Sequence, residues 1–129
     1  MIIDTSAIVA ILRLESETPT ILKALDEAHQ IFIAAPTYLE LCMVMVGKKG
    51  SEGKLDVDYF LGNFEVKILN FSEEHARIAM NAFLKYGKGR HPAKLNFGDC
   101  MSYAMSKTEL MPLLFKGDDF RLTDVDCAV

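Results

Sequence analysis

Four short apolar runs, separated by longer helical patterns, constrain the fold of this chain more than any other feature. They are residues 1 to 4 (MIID), 31 to 34 (IFIA), 66 to 69 (VKIL) and 113 to 115 (LLF), each the length of a buried strand rather than of a helix. Between them the spacing predicts helices over about 6 to 14, 18 to 29, 37 to 47, 56 to 64, 72 to 86 and 97 to 109, with Thr18 as an N-cap and Pro19 at the first helical position. Strands that alternate with helices require right-handed crossovers, which put helices on both faces of a sheet. The sequence therefore predicts a three-layer α/β/α domain with a short, mostly parallel central sheet. No repeat, low-complexity segment or long linker divides the chain, so residues 1 to 129 are expected to form one domain.

Composition narrows the function classes. Half of the residues are apolar and a quarter are charged, the balance of a soluble folded domain. No apolar run reaches the roughly 18 residues of a membrane span, and the N-terminus lacks a basic, cleavable leader, so the expected location is the cytoplasm and no membrane partner is expected. Cys42, Cys100 and Cys127 are odd in number and form no C-x-x-C pair, which argues against disulfides and structural zinc. A net charge of -4 excludes nucleic-acid binding through overall basicity. Any nucleic-acid substrate needs a local basic patch.

Two loops concentrate charge. "GKKGSEGK", 47 to 54, reads as a solvated loop, whereas "KYGKGRHPAK", 85 to 94, carries Lys85, Lys88, Arg90, His91 and Lys94 without an acid and runs towards an acid-bearing helix. Arg90, His91 and Lys94 are accordingly candidate RNA-phosphate ligands. His29 and His75 read as ordinary surface or structural histidines.

The acids carry the chemistry. Asp4 stands where the first strand gives way to the first helix and also suits an N-cap, a role Ser6 can fill equally well. Glu40, in "PTYLEL", matches a capping box opened by Thr37. Asp99, in "LNFGDCMSYAMSK", sits three residues after Asn96 and has the same double reading; it shares a helix face with Ser102 and Ser106. Asp118 and Asp119 follow the last strand after Gly117, and in an extended segment they point to opposite sides. What unites these acids is location, because ligands of open α/β sheets bind beyond the carboxyl ends of the strands. Carboxylates gathered in one cleft must take up protons or hold a cation. Oxygen ligands without histidine or cysteine suit magnesium or manganese, and such an ion suits phosphodiester hydrolysis.

Four ordered segments, "MIIDTSAIVAIL", "PTYLEL", "YGKGRHPAKLNFGDCMSYAMSK" and "PLLFKGDDFRLTDV", resemble the PIN-domain ribonucleases, specifically the VapC-type toxins of bacterial toxin–antitoxin pairs, over nearly the whole chain. The resemblance implies an endoribonuclease dependent on Mg2+, with Mn2+ as a substitute, and an acidic site of Asp4, Glu40, Asp99 and Asp119. It makes Asp4 and Asp99 the direct metal ligands, gives Glu40 and Asp119 ligation through water or orientation of the attacking water, and assigns support to Thr5 or Ser6. Ser102 and Asp118 are further supporting candidates. Asp119 is preferred over Asp118 because related sequences share the pattern G-x-D-F. A cognate antitoxin and a homodimer are also implied. Two other readings stand beside this one: a metal-dependent phosphatase or phosphoacceptor domain, and a non-catalytic RNA- or protein-binding module whose acids serve only as helix caps.

Overall fold

The computed structural model describes residues 1–129. Its four strands, β1 (Ile2–Ile3), β2 (Phe32–Ala34), β3 (Lys67–Leu69) and β4 (Leu113–Leu114), form one parallel sheet in the order β3-β2-β1-β4. The helices are α1 (Thr5–Leu12), α2 (Thr18–Glu27), α3 (Ala35–Lys49), α4 (Ser51–Asn63), α5 (Glu73–Tyr86) and α6 (Phe97–Glu109), and a 3-10 turn, Asp119–Leu122, follows β4.

Alternation along the strands builds a core on each side. Ile3, Ile33 and Leu114 pack with Ala7, Ile8, Ile21, Leu41 and Met45 of the α1–α4 side. Ile2, Ala34 and Leu113 pack with Ala82, Tyr86, Tyr103 and Met105 of α5 and α6. Each wholly buried Ile or Leu contributes about 1.5–3 kcal/mol of transfer free energy, so strands of two or three residues are held chiefly by what covers them. The three-layer expectation is met, with every strand pair parallel.

The strand order locates the site. From β1 the chain passes to β2 and then β3 on one side, and then returns across β1 to place β4 on the other. The sheet thus switches direction at β1, where such folds open a crevice beyond the strand ends.

Several local expectations are corrected. "GKKGSEGK" is not a solvated loop: α3 runs to Lys49 and α4 starts at Ser51, leaving only Gly50, at φ 65°, to break the helix. The helix expected from 56 therefore begins at Ser51. Thr18 is not the cap of α2; Glu17 holds that position, and the Thr18 hydroxyl donates to the Ala10 carbonyl at 3.0 Å. Asp118 and Asp119 do not lie in an extended segment, because Gly117 at φ 100° turns the chain directly into the 3-10 helix. His75 is structural, as expected: it is buried and closes a capping box with Ser72.

Candidate active site

Asp4 leaves β1 with extended backbone and caps α1. The Ser6 amide and hydroxyl donate to its Oδ2 at 2.9 and 2.6 Å, and Ser102 Oγ of α6 donates to Oδ1 at 2.6 Å. The residue is only 3% exposed, so these donors replace the water that burial removes. Ser6 Oγ also accepts from the Lys116 amide at 3.0 Å, which ties the exit of β4 to the exit of β1.

Glu40 is not a capping-box residue. Helix α3 starts at Ala35, two residues before Thr37, with Pro36 in its first turn and no side-chain cap. Thr37 is buried inside the helix with its hydroxyl unpartnered, and Glu40 moves one turn inward, where Oε1 accepts from Thr5 Oγ1 at 2.6 Å. Gly98 permits this position, because a Cβ there would overlap Glu40 Oε2 and lie 2.8 Å from Cδ.

The capping box of α6 is present as expected. Asp99 N donates to Asn96 Oδ1 at 2.9 Å, and Asp99 Oδ2 accepts from the Asn96 amide at 3.0 Å. The cap occupies one carboxylate oxygen and leaves Oδ1 without a protein hydrogen bond, so capping and a chemical role are compatible in one residue. Burial pushes the Asp99 carboxyl up to about 6 against the pull of the Asn96 amide, and the charges of Asp4, Asp119 and Glu40 add to the rise. The neighbouring Cys100 thiol is pushed up to about 11, first by burial and then by the charge of Asp99, which leaves it protonated and inert at neutral pH.

Asp4, Thr5, Ser6, Glu40, Asn96 and Asp99 line one open cleft of about 350 Å³, together with Val9, Val44, Glu15 and Lys116. The predicted residues do not all reach it. Ser102 acts from beneath, through Asp4. Asp119 lies outside the lining, although its charge is felt at Asp99. Asp118 is 94% exposed in its side chain, with Arg121 Nε 3.9 Å away. Arg90, His91 and Lys94 also lie off the lining: Arg90 Nε donates to the Leu84 carbonyl, His91 meets the Tyr86 ring edge-on, and Lys94 turns the backbone at φ 52°. Three contributors were missed from the sequence, namely Gly98, Glu15 and Lys116. Gly98 directly precedes Asp99 and Lys116 lies two residues before Asp118, so for these two proximity to an acid was the signal available, whereas nothing in the sequence marked Glu15.

A PIN domain model matches residues 1–126. The chain belongs to the PIN-domain family. Ribonuclease VapC42 of Mycobacterium tuberculosis is 41% identical to this PIN domain over 126 residues, which cover 97% of this chain and 96% of that one. Among solved structures, M. tuberculosis VapC20, described as a Sarcin-Ricin loop cleaving toxin, matches with a TM-score of 0.78 at 12% identity, covering 96% and 95% of the two chains. A chain of a toxin-antitoxin complex from Klebsiella pneumoniae matches with a TM-score of 0.69 at 22% identity, covering 92% and 88%. The two structures are similar in fold.

The donor set of this PIN domain fits a hard divalent cation. No three acid, histidine or cysteine side chains stand close enough to enclose an ion by themselves, which disfavours a dehydrated cage. Magnesium retains several waters and takes only one or two carboxylates, and Asp99 Oδ1, which has no protein hydrogen bond, beside Asp4 Oδ1, which accepts only one, meets that requirement in an open cleft.

Proposed function

We propose that this PIN domain is an endoribonuclease that hydrolyses RNA phosphodiester bonds with Mg2+, or Mn2+ in its place, and acts as the toxin of a toxin–antitoxin pair. The observation that carries the reading is the convergence of Asp4, Glu40 and Asp99 on one cleft in a chain 41% identical to a named ribonuclease. Asp4 and Asp99, completed by waters, would hold the ion, which would supply charge neutralisation and Lewis-acid polarisation at the scissile phosphate. Ser6 and Ser102 fix Asp4, and Asn96 fixes Asp99. Thr5 holds Glu40 by Oε1 and leaves Oε2 to orient the attacking water and accept its proton. Asp119 supports the site from its rim, and Arg90, His91 and Lys94 engage RNA outside the cleft.

An antitoxin partner and a homodimer belong to the same reading. Their support is the fold shared with a chain of a toxin-antitoxin complex and an apolar trough beside Glu40, where Leu39, Met43 and Phe97 are exposed. Large exposed apolar side chains in one trough favour a protein partner.

The test is incubation of the purified protein, free of any partner, with total RNA and Mg2+ or Mn2+, beside Asp4→Asn and Asp99→Asn. Cleavage that chelator abolishes and both substitutions reduce by about 10²-fold or more supports the reading. Equal cleavage by all three proteins refutes the assigned site.

A further inference from the structure

The cleft presents a problem for an RNA nuclease. Asp4, Glu15, Glu40 and Asp99 give it a negative wall, while a substrate phosphate is itself an anion. Lys116 is the one cation in the lining, and it is already engaged. Its Nζ pairs with Glu15 Oε2 and lies 3.7 Å from Glu17 Oε2. The two glutamates come from the turn between α1 and α2, where Leu14 adopts φ 54° and is 84% exposed. The lysine backbone is fixed, since its amide donates to Ser6 Oγ, the hydroxyl that holds Asp4. The turn's backbone is held as well, Glu15 N donating to the Ala10 carbonyl at 2.9 Å and Thr18 N to the Glu15 carbonyl at 3.0 Å, so any exchange of partners falls to the side chains of Lys116, Glu15 and Glu17.

We propose that Lys116 is the phosphate-binding cation of this cleft and that Glu15 and Glu17 hold it until RNA takes their place. The proposal rests on the ribonuclease reading of the same site. A phosphate oxygen offers the ammonium the acceptor that a carboxylate offers, so exchange conserves charge pairing. The side chains of Lys116, Glu15 and Glu17 are 34%, 26% and 43% exposed, and ion pairs this open to water contribute little, so exchange is not opposed by a strong native pair. The anchored backbone keeps the ammonium within reach of the phosphate held beside Asp4. Lysine is suited to this task because its compact charge, on a flexible arm, can move from one acceptor to another.

The rival account is a strut, in which the pair merely ties the α1–α2 turn to β4. The two accounts predict opposite signs for loss of the glutamates. A strut loses from either side, so Lys116→Gln and the double variant Glu15→Gln/Glu17→Gln should both lower thermal stability and weaken function. A held cation gives weaker RNA binding for Lys116→Gln and tighter binding for the glutamine pair.

The experiment measures binding of labelled single-stranded RNA in chelator across a salt series, with thermal unfolding of each variant and cleavage with Mg2+ in parallel. Lys116→Gln should weaken binding on the order of tenfold and flatten the salt slope by about 0.7, the loss of one phosphate contact on a single strand. Lys116→Arg should recover most of both. The glutamine pair should bind RNA more tightly, and that gain should vanish in the Lys116→Gln background; a gain that persists there reflects general removal of negative charge and overturns the proposal. Unchanged binding and slope in Lys116→Gln also overturns it while leaving the ribonuclease reading intact, provided the wild-type protein cleaves RNA. Failure of the wild-type protein both to bind and to cleave RNA overturns the two together.

Discussion

Ser102 Oγ donates to Asp4 Oδ1 at 2.6 Å, joining side chains 98 residues apart in the chain. The bond crosses from α6 to the exit of β1 and fixes the orientation of a carboxylate that burial deprives of water. Ser102→Ala removes a hydrogen bond to a charged group, which costs about 1.5–3 kcal/mol of stability. Positioning groups of this kind typically contribute about 10- to 100-fold to metal affinity or activity. Calorimetric unfolding and RNA cleavage should both register the change; an intact cleavage rate would mean that Ser6 alone orients Asp4.

Gly98→Ala separates activity from stability. Alanine in a helix is favoured over glycine by up to about 1 kcal/mol, yet its methyl group would occupy the place of the Glu40 carboxylate. Cleavage should fall by about 10- to 100-fold while the melting temperature holds or rises. A variant with full cleavage would show that Glu40 can work from another rotamer.

The sequence carried local and periodic information well. Asp4 as a cap and the Asn96–Asp99 capping box both follow from side chains acting on backbone within three residues, and both are present. The core strands were legible because apolar runs this short have no other place to be buried. The failures share a cause: Thr37 and Glu40 have capping-box spacing, but Pro36 suits the first turn of a helix, so α3 starts upstream and gives Glu40 to Thr5. Glycine and lysine made 47–54 look like a loop, whereas packing against the core through Met45 and Val57 keeps both helices intact to either side of Gly50. The junction of Lys116 with Glu15 and Glu17 was invisible, since it depends on bringing together segments about a hundred residues apart.

Asp99 sets a pH dependence. A carboxyl raised in the fold is penalised when ionised, so the metal-free protein should lose stability as pH rises from 3.8, the ordinary value, through about 6. Metal binding needs the ionised form and should strengthen over the same interval. Melting temperatures with and without Mg2+ should therefore diverge as pH rises from 5 to about 7.5, and Asp99→Asn should abolish the divergence. Equal stabilisation by Mg2+ at both ends would exclude Asp99 as the titrating ligand.

Turn geometry rather than strand alternation separates Asp118 from Asp119. Asp119 begins the 3-10 helix and its charge contributes to the raised pKa of Asp99. Asp118 is turned to solvent beside Arg121 and lines a separate hollow with Glu17 and Lys116. Asp119→Asn should therefore reduce cleavage well beyond Asp118→Asn, which should stay near wild type. It should also move the acid limb of the activity profile to lower pH, because removing a negative neighbour lowers the Asp99 pKa. Greater loss in Asp118→Asn would exchange the two assignments, and an acid limb unmoved by Asp119→Asn would mean that this residue acts elsewhere than through the field at Asp99.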